Sequence, residues 1–388
     1  MMEGLSVPAK IGHVEVANRV FLAPLAGVSD IPFRRICQEM GAGLTYIEML
    51  TSNGIEHRAR RTMDVARRHA SEKVLGVQIT GASAATISKG VRQLALLPFD
   101  LVDINMGCPV RKIVSRGCGS ALLRDPAQVS EVVKETIEST PCPVSVKIRL
   151  GFSRAEMNVA ENAARIAAAG AAMLTIHGRA RSENYMDRVD YDAISIGFQA
   201  AKAAALGAIL LVGNGDILGQ DGARTMTERT GCDALMISRG ALGNPWIFNR
   251  ILGRRKDEPT IEEWRDIVLR HLKYHVQHYV SSRIAAVLFR KHLLWYLNGF
   301  PGVRKMRDAG SVVGTPDEAH RLIDSFAASL PPDLRRHADR ELKSQRKISN
   351  GSDPNYKMDW KLDRGDESEE MKIGGGSGPS TSHPPISH

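Results

Sequence analysis

Gly107-Cys108-Pro109 sets a thiol between a turn-forming glycine and a rigid proline. A cysteine held that way is suited to act as a nucleophile or as a proton donor. Of the other four cysteines, Cys37, Cys142 and Cys232 read as ordinary core residues. Cys118 shares the long loop of Cys108 but is not expected to be its redox partner. No CxxC pair occurs, so the cysteines suggest neither a zinc site nor a disulfide framework, and His383 and His388 are too sparse for a metal claim. Other polar groups gather at recurring intervals: Gln78, Asn105, Lys147 with Arg149, His177 with Arg179, Asn214-Gly215-Asp216, and Ser238-Arg239.

These groups share one feature. Each closes a short run of branched and apolar residues, and the runs are 20–25, 44–49, 74–79, 101–105, 144–149, 173–177, 209–213 and 234–238. Helical patterns separate most of them, with clear examples at 83–97, 127–139, 155–169 and 192–206. Asp125-Pro126 and Asp221-Gly222 read as helix entries, and Gly170 as a helix stop. Strands that alternate with helices in this way form right-handed βαβ units and a parallel sheet. Eight such units predict an α/β fold, a (β/α)8 TIM barrel over residues 8–255, with a doubly wound open sheet as the alternative. A buried parallel strand is nearly all apolar. Polar residues at the ends of seven strands converge only if the sheet closes and the ends form its carboxyl rim, where barrel active sites lie. Taken alone, Asp216 or Ser238 would be a helix cap.

The rim suits a flavin. Lys147 is an inward-facing strand-end charge that needs a partner. A cation beside the N1–C2=O edge of a flavin stabilises the reduced anionic ring. Gln78 and Asn214 offer hydrogen bonds along that edge or the ribityl chain. Gly213, Gly215 and Gly240 let backbone N–H groups approach a phosphate, and Arg239 adds a guanidinium. No GxGxxG fingerprint follows a strand, which argues against a Rossmann NAD site and for FMN.

In order along the chain, Ala23-Pro24-Leu25-Ala26-Gly27-Val28-Ser29-Asp30, Asn105-Met106-Gly107-Cys108-Pro109, Gly119-Ser120-Ala121-Leu122-Leu123, Lys147-Ile148-Arg149, His177-Gly178-Arg179 and Gly213-Asn214-Gly215-Asp216 resemble the tRNA-dihydrouridine synthase family. The resemblance covers roughly residues 8–310 and looks closest to the bacterial B-type branch, whose C-terminal helices Phe289-Arg290-Lys291-His292 and Trp295-Tyr296-Leu297 resemble. It implies an enzyme in which NADPH reduces bound FMN and the flavin passes hydride to C6 of a D-loop uridine extruded from tRNA. Cys108 would then protonate C5. By the same resemblance Pro24, Leu25 and Ala26 line the flavin, Gln78 and Lys147 meet its ring, and His177 lies beside it. Asn214, Gly215, Asp216, Ser238 and Arg239 would hold the ribityl phosphate end. Asn105 and Arg149 are candidates for orienting uracil, and Arg179 another, with a rim salt bridge as its other reading. One stretch departs from the family: Tyr185-Met186-Asp187-Arg188-Val189-Asp190-Tyr191 stands where a glycine-containing turn is usual.

Thr260 and Glu263 form a capping-box pattern that opens a smaller all-helical region, expected over 259–332. Ile261, Trp264, Val268, Leu272 and Val276 are its expected core stripe. A second helix near 282–297 carries Arg290 and Lys291, candidate contacts to tRNA phosphates. Residues 333–388 turn to mixed charge and then a Gly/Ser/Pro/His end, read as a disordered tail. The hydrophobic share of 43% supports a sizeable core, and a net charge of +9 favours a polyanionic partner such as the tRNA D arm. No stretch approaches about 20 apolar residues and no signal-peptide pattern opens the chain, so a cytoplasmic location is expected and no obligate protein partner is inferred. Two other readings are an FMN barrel reducing a free pyrimidine and a non-catalytic barrel that binds tRNA.

Overall fold

The computed structural model describes residues 2–94 and 96–336, so most of the expected tail lies outside the described residues. Eight parallel strands alternate with helices: β1 Val20–Leu22, β2 Thr45–Tyr46, β3 Leu75–Thr80, β4 Leu101–Met106, β5 Val144–Arg149, β6 Met173–His177, β7 Leu210–Asn214 and β8 Ala234–Ile237. Hydrogen bonding runs in the order β1-β8-β7-β6-β5-β4-β3-β2. A parallel bridge from Phe21 to Leu44 joins the two ends, with Leu22 N–H donating to Leu44 O at 2.9 Å. The sheet is therefore a closed barrel, and the open-sheet alternative falls away. Six of the expected runs become strands within a residue or so of their expected limits. The run 20–25 is a strand only as far as Leu22, and the run 44–49 is broken: the chain leaves β2 after Tyr46, then Leu50–Thr51 pairs with β3 higher up, opposite Ile79 and Thr80.

Alternation along each strand sorts the side chains. On β4, Val102, Ile104 and Met106 face the helices, while Leu101, Asp103 and Asn105 face the barrel interior. The bottom of the interior is apolar, with Phe21, Tyr46, Leu101, Met173, Val212 and Met236 packed together. A short hairpin, Ala9–Ile11 with Val14–Val16, plugs the amino-terminal end by burying Ile11 and Val16 against them. Gly76 is needed in that layer, because a Cβ there would sit 2.4 Å from the Tyr46 ring. Polar side chains begin one layer up and crowd the carboxyl rim.

The helices that cover the barrel are α1 Ile31–Glu39, α2 Ala84–Leu94, α3 Pro126–Glu138, α4 Val159–Ala168, α5 Tyr191–Ala204 and α6 Gln220–Thr230. Asp125 caps α3 by accepting from the N–H groups of Ala127 and Gln128, as its sequence predicts. Gly170 ends α4 at a φ of +94°. Asp221 is not the entry to α6: Gly219 is the cap, and Asp221 lies in the first turn, where its charge favours the helix dipole.

Four helices follow: α7 Ile261–His278, α8 Ser282–Tyr296, α9 Arg304–Val312 and α10 Pro316–Ala328. The Thr260–Glu263 capping box is formed. Ile261, Trp264, Val268 and Leu272 are buried on one face of α7, and the Trp264 indole donates to Tyr296 O at 2.8 Å. Val276 leaves this stripe and is 41% exposed. His271 and His275 are buried in its stead, because α7 here faces α1 and α8 together.

Arg34 fastens α1 to the barrel. Its guanidinium meets both oxygens of buried Glu72, at 2.6 and 3.1 Å, and donates to Ser29 O at 2.7 Å. Arg34→Ala would leave Glu72 buried and unpaired, so urea unfolding should show a loss of about 3–5 kcal/mol. A loss below about 1 kcal/mol, the level of a surface pair, would show that Glu72 finds other compensation.

Candidate active site

The carboxyl rim encloses a cavity of about 310 Å³, in the range of small-molecule sites. Fourteen of the predicted site residues line it: Pro24, Leu25, Ala26, Gln78, Asn105, Cys108, Lys147, Arg149, His177, Asn214, Gly215, Asp216, Ser238 and Arg239. They come from seven strand ends, and closure of the barrel alone brings them together.

A chain of hydrogen bonds sets their orientation, and it starts at Asp103, a residue that sequence reasoning missed. The Asp103 carboxylate, fully buried, accepts from Ser145 Oγ and Gln78 Nε2, each at 2.6 Å. A carboxylate only accepts, so Gln78 must turn its NH₂ toward Asp103 and its oxygen away. That oxygen accepts from Asn105 Nδ2 at 2.8 Å. The Asn105 oxygen in turn accepts the backbone N–H groups of Gly107 and Cys108, at 3.0 and 2.8 Å. Arg149 holds the same loop from the other side, donating to Gly107 O at 3.0 Å and to Ala180 O at 2.9 Å. The place of Cys108 is thus fixed from the barrel interior. Burial pushes its thiol above the usual value, so the group carries its proton at neutral pH.

Lys147 Nζ donates to Asn214 Oδ1 at 2.9 Å, and Asn214 Nδ2 donates to Met236 O and Ser238 Oγ. No carboxylate lies within ion-pair distance of Lys147 among the described residues. Burial, with Arg149 nearby, lowers its pKa to about 8, while Asp103 acts in the opposite sense. Burial raises Asp103 to about 6, against the effect of Gln78, Ser145 and Lys147. His177 is held neutral by burial and by the surrounding cations. Arg179 Nη1, which only donates, stands 3.3 Å from His177 Nε2, so the ring proton resides on Nδ1.

At the other end of the cavity, Asp216 sits at a φ of +47° between two arginines. Arg179 meets it at 3.1 and 2.5 Å, and Arg239 at 2.6 Å. Arg179 is fully buried beneath the rim and does not line the cavity. It also donates to Asp187 O and Tyr185 O, which fixes the stretch that departs from the family pattern. Tyr185 from that stretch lines the cavity and lies under the Arg239 guanidinium, 4.2 Å from ring centroid to charge. A Cβ on Gly240 would fall 2.2 Å from Ile217 O, so only glycine fits this turn. Arg290 and Lys291 are not in the cavity. Arg290 donates to Val313 O, and Lys291 to Gly27 O beside the first rim loop. Trp295 of α8 does reach the cavity and was not foreseen as a site residue.

The site therefore has a buried cation without a carboxylate partner, amides of fixed polarity beside it, and a glycine-rich arginine end. An electron-rich ring with a phosphate tail would satisfy all three, and the residues fit a flavin mononucleotide.

Fold and site together define a (β/α)8 barrel of the kind that does its chemistry on the carboxyl rim. The family model described as dihydrouridine synthase matches residues 21–330, and the chain belongs to that family. It is 35% identical over 324 residues to tRNA-dihydrouridine synthase B of Pasteurella multocida, covering 82% of this chain and 95% of that protein. A protein of the same name from Pseudomonas putida is 36% identical over 305 residues, 77% of this chain and 88% of that one. Among solved structures, histamine dehydrogenase from Rhizobium sp. 4-9 has a similar fold, with a TM-score of 0.51 at 13% identity over 87% of this chain and 66% of that larger one. No helix among the described residues is long and apolar enough to cross a membrane.

Asp103→Leu removes both acceptors, so the Gln78 amide and the Ser145 hydroxyl lose the partner that orients them. Turnover should fall roughly tenfold or more as the Cys108 loop shifts, with the far-ultraviolet circular dichroism unchanged. Normal turnover would show that the chain of amides does not position the loop. Lys147 binds its proton less tightly in the folded chain than in the unfolded one, which has the ordinary value of 10.5. Between about 8 and 10.5 the unfolded state holds more protons, so stability rises with pH across that window. Comparison of urea unfolding for wild type and Lys147→Met across these pH values should show the wild type gaining stability relative to the variant as pH rises; parallel profiles would contradict it.

Proposed function

We propose that the chain reduces a uridine in the D loop of tRNA to dihydrouridine, with FMN as bound cofactor and NADPH as reductant. The observation that carries this reading is a thiol kept protonated, Cys108, lining the same cavity as the buried cation Lys147. Family membership and relatives named tRNA-dihydrouridine synthase B support it.

In this reading Pro24, Leu25 and Ala26 bear on the flavin ring, and Gln78, Lys147 and His177 meet its polar edge. Asn214, Gly215, Asp216, Ser238 and Arg239 receive the ribityl phosphate end. The flavin, when bound, supplies hydride for C6 of the uracil. Cys108 gives its proton to C5 on the same base and recovers one from solvent. Asn105 and Arg149 orient the base, directly or through the Gly107 carbonyl that Arg149 holds. Arg179 acts by clamping Asp216 and the Tyr185 stretch.

The helical region 259–332 would receive the tRNA, and the net charge of +9 suits a phosphate backbone. Arg290 and Lys291 contribute there through the edges they hold as well as through charge. The enzyme would work in the cytoplasm, where its substrate is found.

A Cys108→Ala variant tests the assignment. It should retain flavin and bind tRNA, yet lose about 10²- to 10⁴-fold in the rate of dihydrouridine formation under single turnover, the usual weight of a general acid. Unchanged formation would remove Cys108 from the proton-donor role.

A further inference from the structure

Outside the cavity, the C-terminal helices meet α1 over a cluster of histidines. His271 and His275 lie one turn apart on α7, so their rings leave the same face, and His292 joins them from α8. Asp30, the N-cap of α1, stands opposite. All three imidazoles are buried, at 0%, 0% and 1% exposure. Their ring centroids are 4.5 to 5.3 Å apart, and one candidate ligand atom from each of the four residues lies within 4.8 Å of the others.

Their nitrogens lack partners. His271 Nδ1 pairs with the Tyr296 hydroxyl at 3.1 Å. His271 Nε2 and both ring nitrogens of His275 and His292 find no hydrogen-bond partner among the described residues. The closest approach to a carboxylate is His275 Nε2 to Asp30 Oδ2, at 3.7 Å. Phe33 and Phe289 wall the cluster with apolar rings. Polar nitrogens are rarely left unmatched in such surroundings without a reason. Burial holds all three rings neutral, which is the form that binds metals. Lys291 is the neighbouring cation that opposes a metal ion, but its ammonium is drawn off to Gly27 O at 2.6 Å, and the Asp30 carboxylate offsets it.

We propose that Asp30, His271, His275 and His292 form a closed structural site for a divalent transition metal, zinc by preference. Three imidazoles and a carboxylate make a borderline N/O donor set that suits zinc, whereas magnesium and calcium take oxygen ligands. Four ligands complete a tetrahedron and leave no open position, which marks the site as structural. Bonds of about 2.0–2.1 Å require the ligand atoms to draw in to about 3.3 Å from one another, a small contraction from their present spacing. The Tyr296 hydroxyl would accept from His271 Nδ1–H and leave Nε2 for the metal, and the Tyr279 hydroxyl donates to Asp30 Oδ2 at 2.9 Å. Such a metal would tie α7 and α8 to the start of α1, where the loop of residues 24–29 ends, and so hold Trp295 over the cavity. Expectations of no metal, drawn from the cysteines and from His383 and His388, did not weigh the i, i+4 pair His271 and His275, which lay hidden in an apolar helix pattern.

The test uses the full chain, purified without a histidine tag from zinc-supplemented cells. Mass spectrometry of its metals should find about one zinc per chain. Removal by chelator should lower Tm by several degrees, zinc but not magnesium should restore it, and cobalt(II) should give the visible d–d bands of a tetrahedral site. A His292→Gln variant should lose most of the bound metal; if that variant does not fold, the cobalt spectrum and Tm response of wild type decide. Zinc well below stoichiometry, with neither a cobalt spectrum nor a Tm response, would overturn the proposal. So would stoichiometric metal unaltered in a folded His292→Gln variant.

Discussion

Asp103 is a carboxylate at the centre of a parallel barrel, and much of the site's geometry depends on it. It can only accept hydrogen bonds, so it orients Gln78, which orients Asn105, which holds the backbone of Gly107 and Cys108. A single charge thus fixes the polarity of two amides and the position of a thiol two layers above it. The arrangement is stable because every buried polar group in the series is matched, and a half-matched series would be worse than an apolar one. Asp103 also moderates Lys147, whose own hydrogen bond goes to neutral Asn214. The cation is kept charged enough to face an electron-rich ring, without being cancelled by a direct ion pair.

Barrel closure and period-two alternation supply the frame for this network. Outward residues of the strands pack on α1 to α6, and inward residues change from apolar at the hairpin-plugged end to polar at the rim. The second frame is the helical region. Trp264 and Tyr296 lock α7 to α8, Arg34 and Glu72 lock α1 to the barrel, and the histidine cluster lies where these parts meet. Through Trp295 and the loop of residues 24–29, that junction borders the cavity. Stability at the domain contact and precision at the site are therefore linked by short paths of packed side chains.

Much of this was legible in the sequence, for definite reasons. The strand ends stood out because polar clusters such as Asn105-Met106-Gly107-Cys108 interrupt buried apolar runs, and closure of the sheet is the simplest way to make them meet. Caps were legible because Asp125 and Thr260 act through local backbone geometry. What failed depended on tertiary context. Asp103 did not stand out within the run 101–105, since its partners Gln78 and Ser145 lie on neighbouring strands. Val276 fitted the α7 period, but the face buried there is set by where α1 and α8 lie, and His275 takes that place. Tyr185 and Trp295 reach the cavity from a loop and from a distant helix, and no local spacing signals that.

Reduction of uracil within tRNA is the central proposal. The most direct measurement is nucleoside mass spectrometry after incubating the full chain, FMN and NADPH with tRNA from a strain lacking its own synthase. Dihydrouridine, a gain of two hydrogens, is expected at a D-loop position located by fragment mapping. Bound flavin and consumed NADPH with no dihydrouridine in that tRNA, and with reduction of free uracil or orotate in its place, would contradict it.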